Sequence, residues 1–449
     1  MNKINSVVLV FAVQFFVGFS YAEPVLRPAT GFEDSNLVSR MNNKRVMPKR
    51  GAESWRNIAE LRQKAFKANP NDPQFARPFV AQRSLPEVTV TSANEAAPVD
   101  GMLTEWWCTS TGEPDEFDFM WTSMIGTSVK KGVKAYVYLY SYLGDDNVAT
   151  LQNCSEILKT AEQLTDKEMR LVEWIQDFET DAMWLRDFGP LFVRNEKRKL
   201  SIEDALYYPG RPLDDAQPRD FANRFNPPIP VSDFNLYFEG GNFLPNGNGI
   251  CIVSSVVVEV NPHYSETEIR EMFRQELGCS QLVIVRALED YATGHVDMWL
   301  AWADQTTLVV GEYTELQDKL NRSIIEENVE SKLKGLIDPK TGNPIDIVRM
   351  PMPSNCPLKF LNGHQKAKEP SCARLPPQLR SWRNYLNVLF VNDTVVVPVY
   401  EQEKSHEAEA LSIWEGLGFE VVPVKADMIT PLAGQLHCLT KTIDSPAGD

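Results

Sequence analysis

Apolar and polar positions along this chain recur in one order. Two short apolar runs flank a turn, an amphipathic helix follows and ends on glycine, and a third apolar run closes the unit. Near the C-terminus, Asn387 to Val391 meets the turn Asn392-Asp393 and resumes from Thr394 to Tyr400. Helical spacing then runs from His406 to Leu417, Gly418 stops it, and Phe419 to Val424 reads as a strand. Earlier, Asn242 to Leu244 meets Asn246-Gly247 and resumes from Ile250 to Val260. A helix spans Ser265 to Leu277, Gly278 stops it, and Gln281 to Val285 is a strand. A third copy runs Trp299 to Ala303, turn Asp304-Gln305, Thr307 to Glu312, a helix around Leu316 to Leu336, then Ile345 to Met350. Asn-Gly and Asp-type turns tighten hairpins, and glycine at a helix end accepts left-handed backbone. One such unit cannot bury both its sheet and its helix. Units arranged radially bury each other and leave few open edges. An ordinary α+β domain with coincident spacing is the alternative.

The chain's two ends fall outside this pattern. Lys3 followed by the apolar run Val7 to Phe19 and the small residues before Glu23 reads as a secretory signal over residues 1–22. That run is too short for a comfortable membrane span, so a secreted or periplasmic protein, free of the membrane after cleavage, is expected. Residues 23–98 are polar and hold proline and basic clusters, with one helix expected from Ser54 to Lys67. They read as an N-terminal extension or pro-region. Residues 99–443 form the patterned domain, and 444–449 a tail. Pro351 to Pro377 reads as a lid, or equally as a surface insertion between two units.

Charge and cysteine content narrow the picture further. Cleavage removes Lys3 and no acid, taking the net charge from −16 to −17. That excludes nucleic acid as the main partner, since phosphates need clustered Lys and Arg. It favours cationic ligands only mildly. Seven cysteines leave at least one unpaired in an oxidising compartment. Cys438 is expected to be the free one, and Cys356 with Cys372 is the simplest expected pair. No Cys-x-x-Cys metal pair occurs.

Four stretches join a turn glycine to ionisable or aromatic residues: Trp184 to Pro190, Phe238 to Asn242, Gly294 to Trp299, and Gly434 to Thr440. In an extended chain, His295 and Asp297 project to one face, two residues apart. Each stretch has a plain structural explanation taken singly. Asp187 beside Arg186 suits a local ion pair, Glu239-Gly240-Gly241 a bulge, Trp184 a core position, and Cys438 a buried structural thiol.

Together, and in this order, the strings WLRDFGP, EGGN, GHVD and GQLHCLT resemble the guanidine-modifying hydrolases. Within that superfamily they resemble the agmatine deiminases and Porphyromonas-type peptidylarginine deiminases. The resemblance covers roughly residues 100 to 443. It implies an α/β fold, a five-bladed α/β propeller (pentein) of strand-strand-helix-strand units, in agreement with the repeat. It also implies a site. Asp187 and Asp297 hold the planar guanidinium in bidentate fashion, and Cys438 is the nucleophile. His295 protonates the departing amine and then activates water, while Glu239 orients it and favours its charged form. Trp184 stacks on the substrate. Arg211 sits where Porphyromonas-type enzymes place arginines for a substrate carboxylate, though Pro209 replaces the companion arginine. The resemblance implies no metal and no organic cofactor.

The expected reaction converts a guanidino group to a ureido group and ammonia through a covalent thiouronium. The partner is a small guanidino substrate or an arginine-containing peptide. The export signal tilts the expectation toward peptidyl-arginine or arginine, whereas Glu239 in EGGN fits the agmatine side. An amidinotransferase, and a non-enzymatic secreted binding protein on the same fold, are the competing readings.

Overall fold

The structure is a computed structural model. It describes residues 55–70, 75, 91–92, 96, 98–108, 114–140, 147–195, 197–207, 210–289, 293–354, 382–401, 404 and 406–445. The expected signal segment, most of the expected lid, the Cys356–Cys372 pair and the end of the expected tail lie outside these residues.

Among the described residues five sheets carry the patterned domain, as the repeated α/β units of the expected propeller. Each begins with an antiparallel pair and adds a strand parallel to the second. The units are Leu191–Arg194, Leu200–Leu206 and Val231–Tyr237; Leu244–Pro245, Ile250–Ser254 and Gln281–Val285; Leu300–Trp302, Thr307–Glu312 and Asp346–Pro351; and Leu389–Val391, Thr394–Val399 and Glu420–Lys425. The parallel step requires a crossover, and a helix supplies it in each unit. Sequence explains where these helices begin and end. Ser265 caps Glu266–Leu277 in a reciprocal capping box with Glu268, and Gly278 ends it at φ +69°.

The fifth sheet is assembled from both ends of the domain. Thr440–Asp444 pairs antiparallel with Val99–Trp106, which pairs parallel with Lys134–Leu139 and onward to Val172–Ile175. The C-terminal strand thus fills the place that a hairpin's first strand fills in the other four. The main core packs Leu103, Trp106, Val137, Trp299, Leu308, Val309, Tyr385, Val396 and Leu439 against the crossover helices.

The structure moves two expected boundaries. The strand expected from Ile250 to Val260 stops at Ser254, and Val256–Glu259 is a single helical turn. Asn242 Oδ1 accepts the Ser254 N–H at 2.8 Å, and the Asn261 amide donates to the carbonyls of Tyr237 and Val257. Those side chains take over the bonds a longer ladder would have made. The helix expected around Leu316 to Leu336 is Glu315–Asn328, continued by a π-helical turn at Val329–Leu333.

Among the described residues, disulfides join Cys108 to Cys154 and Cys251 to Cys279, and Cys438 is buried outside either bridge. The helix expected at Ser54–Lys67 is Trp55–Ala68, docked through buried Trp55 and Ala59 rather than loosely attached. Among the described residues no helix is long and apolar enough to cross a membrane. Deleting Thr440–Asp444 exposes the edge of Val99–Trp106. The truncated protein is expected to lose its cooperative thermal transition in calorimetry; an unchanged transition would show that the sheet stands without its C-terminal strand.

Candidate active site

The same local device delivers every site residue. In four of the sheets a short helical turn ends one to three residues before a strand of the antiparallel pair. Leu185–Phe188 precedes Leu191, Gly240–Asn242 precedes Leu244, Val296–Met298 precedes Leu300, and His437–Leu439 precedes Thr440. In the fifth case Asn387 precedes Leu389. The first strands all start at one end of their sheets, so the turns converge there, and glycine lets them approach. A Cβ on Gly241 would lie 2.4 Å from His295 Nδ1 and 2.9 Å from Asp187 Oδ1. A Cβ on Gly240 would lie 2.3 Å from the Arg186 carbonyl oxygen.

His295 stands between two carboxylates. Its Nε2 lies 2.7 Å from Glu239 Oε2 and its Nδ1 lies 3.6 Å from Asp187 Oδ1. On the other side, Asp297 Oδ2 lies 2.8 Å from His437 Nδ1 and accepts from the Cys438 thiol at 3.6 Å. Asn387 fastens the two catalytic turns together. Its amide donates to the Asp297 carbonyl at 3.2 Å, and its Oδ1 accepts the Cys438 N–H at 3.2 Å. Arg186 Nε adds a bond to the His437 carbonyl at 3.2 Å. Asp187, His295, Asp297 and Cys438 are all at most 3% exposed.

Asp187, Glu239 and His295 thus form one group and Asp297 with Cys438 another, on turns that pack against one another. The geometry differs from the expected one in one respect. His295 and Asp297 do not share a face of a strand, because Val296–Met298 is a 3-10 turn with His295 as its extended N-terminal flank. The turn sends His295 toward Glu239 and Asp187, and Asp297 toward His437 and Cys438. Trp184 is buried in the main core at the start of the Leu185 turn.

Arg211 takes another partner. Its Nε lies 2.6 Å from Oδ2 of buried Asp214, and its guanidinium sits 5.1 Å from the Tyr207 ring centre. Tyr207 is buried beside this pair. Burial holds its phenol well above the ordinary range, with Arg211 opposing and Glu239 and Asp187 adding to the rise. Asn387 and His437 were not singled out from the sequence. The position of Asn387 just ahead of a first strand was the available signal.

Asp187, Glu239 and His295 also bring three donor atoms within 4.8 Å of one another, the spacing of a metal site. The imidazole, however, already turns a ring nitrogen to each carboxylate. That arrangement suits a shared proton.

A second buried carboxyl lies near Arg211. Glu105 accepts from Trp107 Nε1 at 2.6 Å and from the Thr180 hydroxyl. Burial pushes it up to about 8, against those hydrogen bonds and with Asp214 adding to the rise. Burial likewise raises Asp214 to about 6, opposed chiefly by Arg211.

A family model described as Porphyromonas-type peptidyl-arginine deiminase matches residues 128–443. The chain belongs to this family. Its members hydrolyse carbon–nitrogen bonds, and deimination of a guanidino group is the activity that this membership supports. The agmatine deiminase of Pseudomonas aeruginosa strain UCBPP-PA14 is 25% identical over 309 residues, covering 63% of this chain and 79% of its own. The solved agmatine deiminase of Enterococcus faecalis superposes with a TM-score of 0.62 at 18% identity, over 79% of this chain and 96% of that one. The agmatine deiminase of C. jejuni gives 0.58 at 16% identity, over 79% and 96%. These two share the fold.

Two outcomes are expected of this deiminase. Gly241→Ala forces His295 aside, so kcat should fall about 100-fold or more, since sub-ångström misplacement of an acid–base group is costly. Its melting temperature should stay within a few degrees, checked by steady-state kinetics beside calorimetry. Glu105 in the folded protein keeps a proton that the unfolded chain releases. Its stabilising contribution is complete below the ordinary glutamate range and is lost as pH rises through about 8. Glu105→Gln should therefore flatten the fall in melting temperature between about pH 5 and about pH 9; an identical profile would show that Glu105 titrates normally.

Proposed function

We propose that this deiminase converts a guanidino group to a ureido group and ammonia through a thiouronium on Cys438, and that it prefers an amine-bearing guanidine of the agmatine kind. The observation that carries the chemistry is the placement of the Cys438 thiol 3.6 Å from Asp297, with His295 held between Glu239 and Asp187.

A planar guanidinium offers N–H groups along its edges, and Asp187 and Asp297 are the acceptors for them. Its charge offsets that of Asp297, so the adjacent sulfur can release its proton to solvent as the cation settles. The thiolate adds to the central carbon and forms the C–S bond. His295 gives its proton to one amino nitrogen, and ammonia leaves as the C–N bond breaks. Water then adds to the same carbon and gives a proton to His295. As the C–S bond breaks, the proton left on the added oxygen passes to the departing sulfur, so the ureido product leaves and Cys438 regains its thiol. Asn387 fixes the sulfur's backbone against the Asp297 turn throughout, and the reaction requires no metal.

The substrate preference rests on Arg211. Its ion pair with buried Asp214 commits the side chain that a substrate carboxylate would need, and the relatives named above are agmatine deiminases. Peptidyl-arginine or free arginine is the second reading. It is supported by the N-terminal apolar run and by two disulfides, which persist in oxidising compartments and fit an exported protein.

Ureido product and ammonia would be measured from agmatine, free arginine, and peptides with internal or C-terminal arginine. Cys438→Ala should lower turnover by roughly 10³-fold or more, because removing a covalent nucleophile forfeits the intermediate. Chelation by EDTA should leave the wild-type rate unchanged. Turnover of peptides with none of agmatine would overturn the amine preference, and dependence on an added amine would make the protein an amidinotransferase. Wild-type turnover equal to that of Cys438→Ala would leave a binding protein.

A further inference from the structure

The N-terminal helix Trp55–Ala68 lies outside the stretch matched by the family model, yet it is docked beside the catalytic residues. Strand directions show why. Leu244–Pro245 starts at the catalytic end of its sheet, just after Gly240–Asn242. Ile250–Ser254 runs antiparallel to it and so finishes at that end. The turn Val256–Glu259 follows there, and the N-terminal helix packs on it.

The contact is specific. Trp55 and Ala59 bury against Tyr237, Val256, Val260 and Ala287. Arg62 Nε donates to the Val260 carbonyl at 2.5 Å, and its guanidinium lies 4.5 Å from the Tyr237 ring centre. Gln63 donates to the Glu259 carbonyl at 3.4 Å. These donors meet carbonyls at the end of a helical turn that has no further residues to satisfy them. Arg56 pairs with Glu289.

The indole of Trp55 reaches furthest toward the chemistry. Gly294 adopts φ +64°, and a Cβ there would lie 2.9 Å from Trp55 Nε1 and 2.8 Å from Val256 Cγ2. Trp55 therefore lies against the backbone immediately ahead of His295. A small cavity is lined by Trp55 and Ile58 of the helix and by Tyr237, Val256, Glu239 and His295 of the propeller.

We propose that Trp55 is a positioning residue of this deiminase. Its indole walls the Glu239–His295 pair, keeps water from that side, and holds the Gly294-His295 backbone in place. On this proposal the N-terminal helix is a working part of the catalytic face and not a pro-region to be discarded. The proposal rests on His295 being the proton carrier, as argued above. A wall that fixes an acid–base group without touching substrate should act on turnover and leave substrate affinity alone.

The test uses the full chain with Trp55→Ala and Trp55→Phe. Trp55→Ala is expected to lower kcat about 10- to 100-fold with KM within about twofold, and Trp55→Phe to recover most of kcat. A second measurement needs no substrate. Diethylpyrocarbonate modification is followed at individual histidines by peptide mass spectrometry. His295 should react at least about fivefold faster in Trp55→Ala than in wild type or Trp55→Phe, the change expected when a buried group gains solvent access. His437, on the far side of Asp297, should react at its wild-type rate. Unchanged His295 reactivity, or equal acceleration at both histidines, would overturn the proposal. So would a folded Trp55→Ala enzyme with wild-type kcat. Should Trp55→Ala fail to fold, Trp55→Leu keeps an apolar contact while leaving the indole's volume unfilled, and carries the same comparison. A wild-type protein that turns over no guanidine would refute the proposed function, and His295 reactivity would still decide the role of Trp55.

Discussion

The antiparallel pairing of Thr440–Asp444 with Val99–Trp106 is the contact on which the site depends most. It joins residues more than 300 positions apart, Thr104 to Leu439 through the threonine hydroxyl at 3.0 Å among them. Cys438 stands two residues before that strand. If the strand pairs, the thiol arrives at the end of its sheet where the other four sheets present Asp187, Glu239, Asp297 and Asn387. Pairing of the two distant segments and delivery of Cys438 to the Asp297 turn are thus one event here. The entropic cost of bringing distant segments together is met by sheet hydrogen bonds and core packing, and the reactive group is carried along.

Electrostatics then fixes what such a site can bind. Asp187, Glu239 and Asp297 are gathered around two imidazoles, where little water reaches them. Buried anions are costly unless a cation or several donors meet them. A planar cation with N–H groups on its edges meets that need better than a compact ammonium does. The same reasoning separates Arg211 from the centre. Asp214 is itself buried and held above its ordinary range, and Arg211 is the group that opposes that rise most. A side chain engaged in relieving one buried carboxylate has less to offer another.

Turn chemistry sets the precision of the arrangement. Gly240 and Gly241 let backbone lie against the Arg186 carbonyl and the His295 ring at distances that exclude a side chain. Asn387 links the backbones of two turns from different sheets with one amide. Each of these contacts has backbone on at least one side, so they place Asp297 and Cys438 more firmly than flexible side chains on open loops would.

The sequence by itself determined whatever follows from local spacing. Hairpins at Asn246-Gly247 and Asn392-Asp393, the helix stops at Gly278 and Gly418, and each of the four motifs were legible. Each depends on residues within a few positions of one another. Tertiary structure alone decided the rest. The 3-10 turn at Val296–Met298 parts His295 from Asp297, which alternation along a strand would have kept together. Asn387 and His437 gain roles only when separate sheets meet, and Arg211 turns to Asp214 because a folded interior leaves that carboxylate needing a cation. Trp55 carries no motif at all. Its place beside Gly294 depends on a helix docking across some 240 residues of chain, and no local pattern encodes a contact whose energy exists only after the propeller has formed.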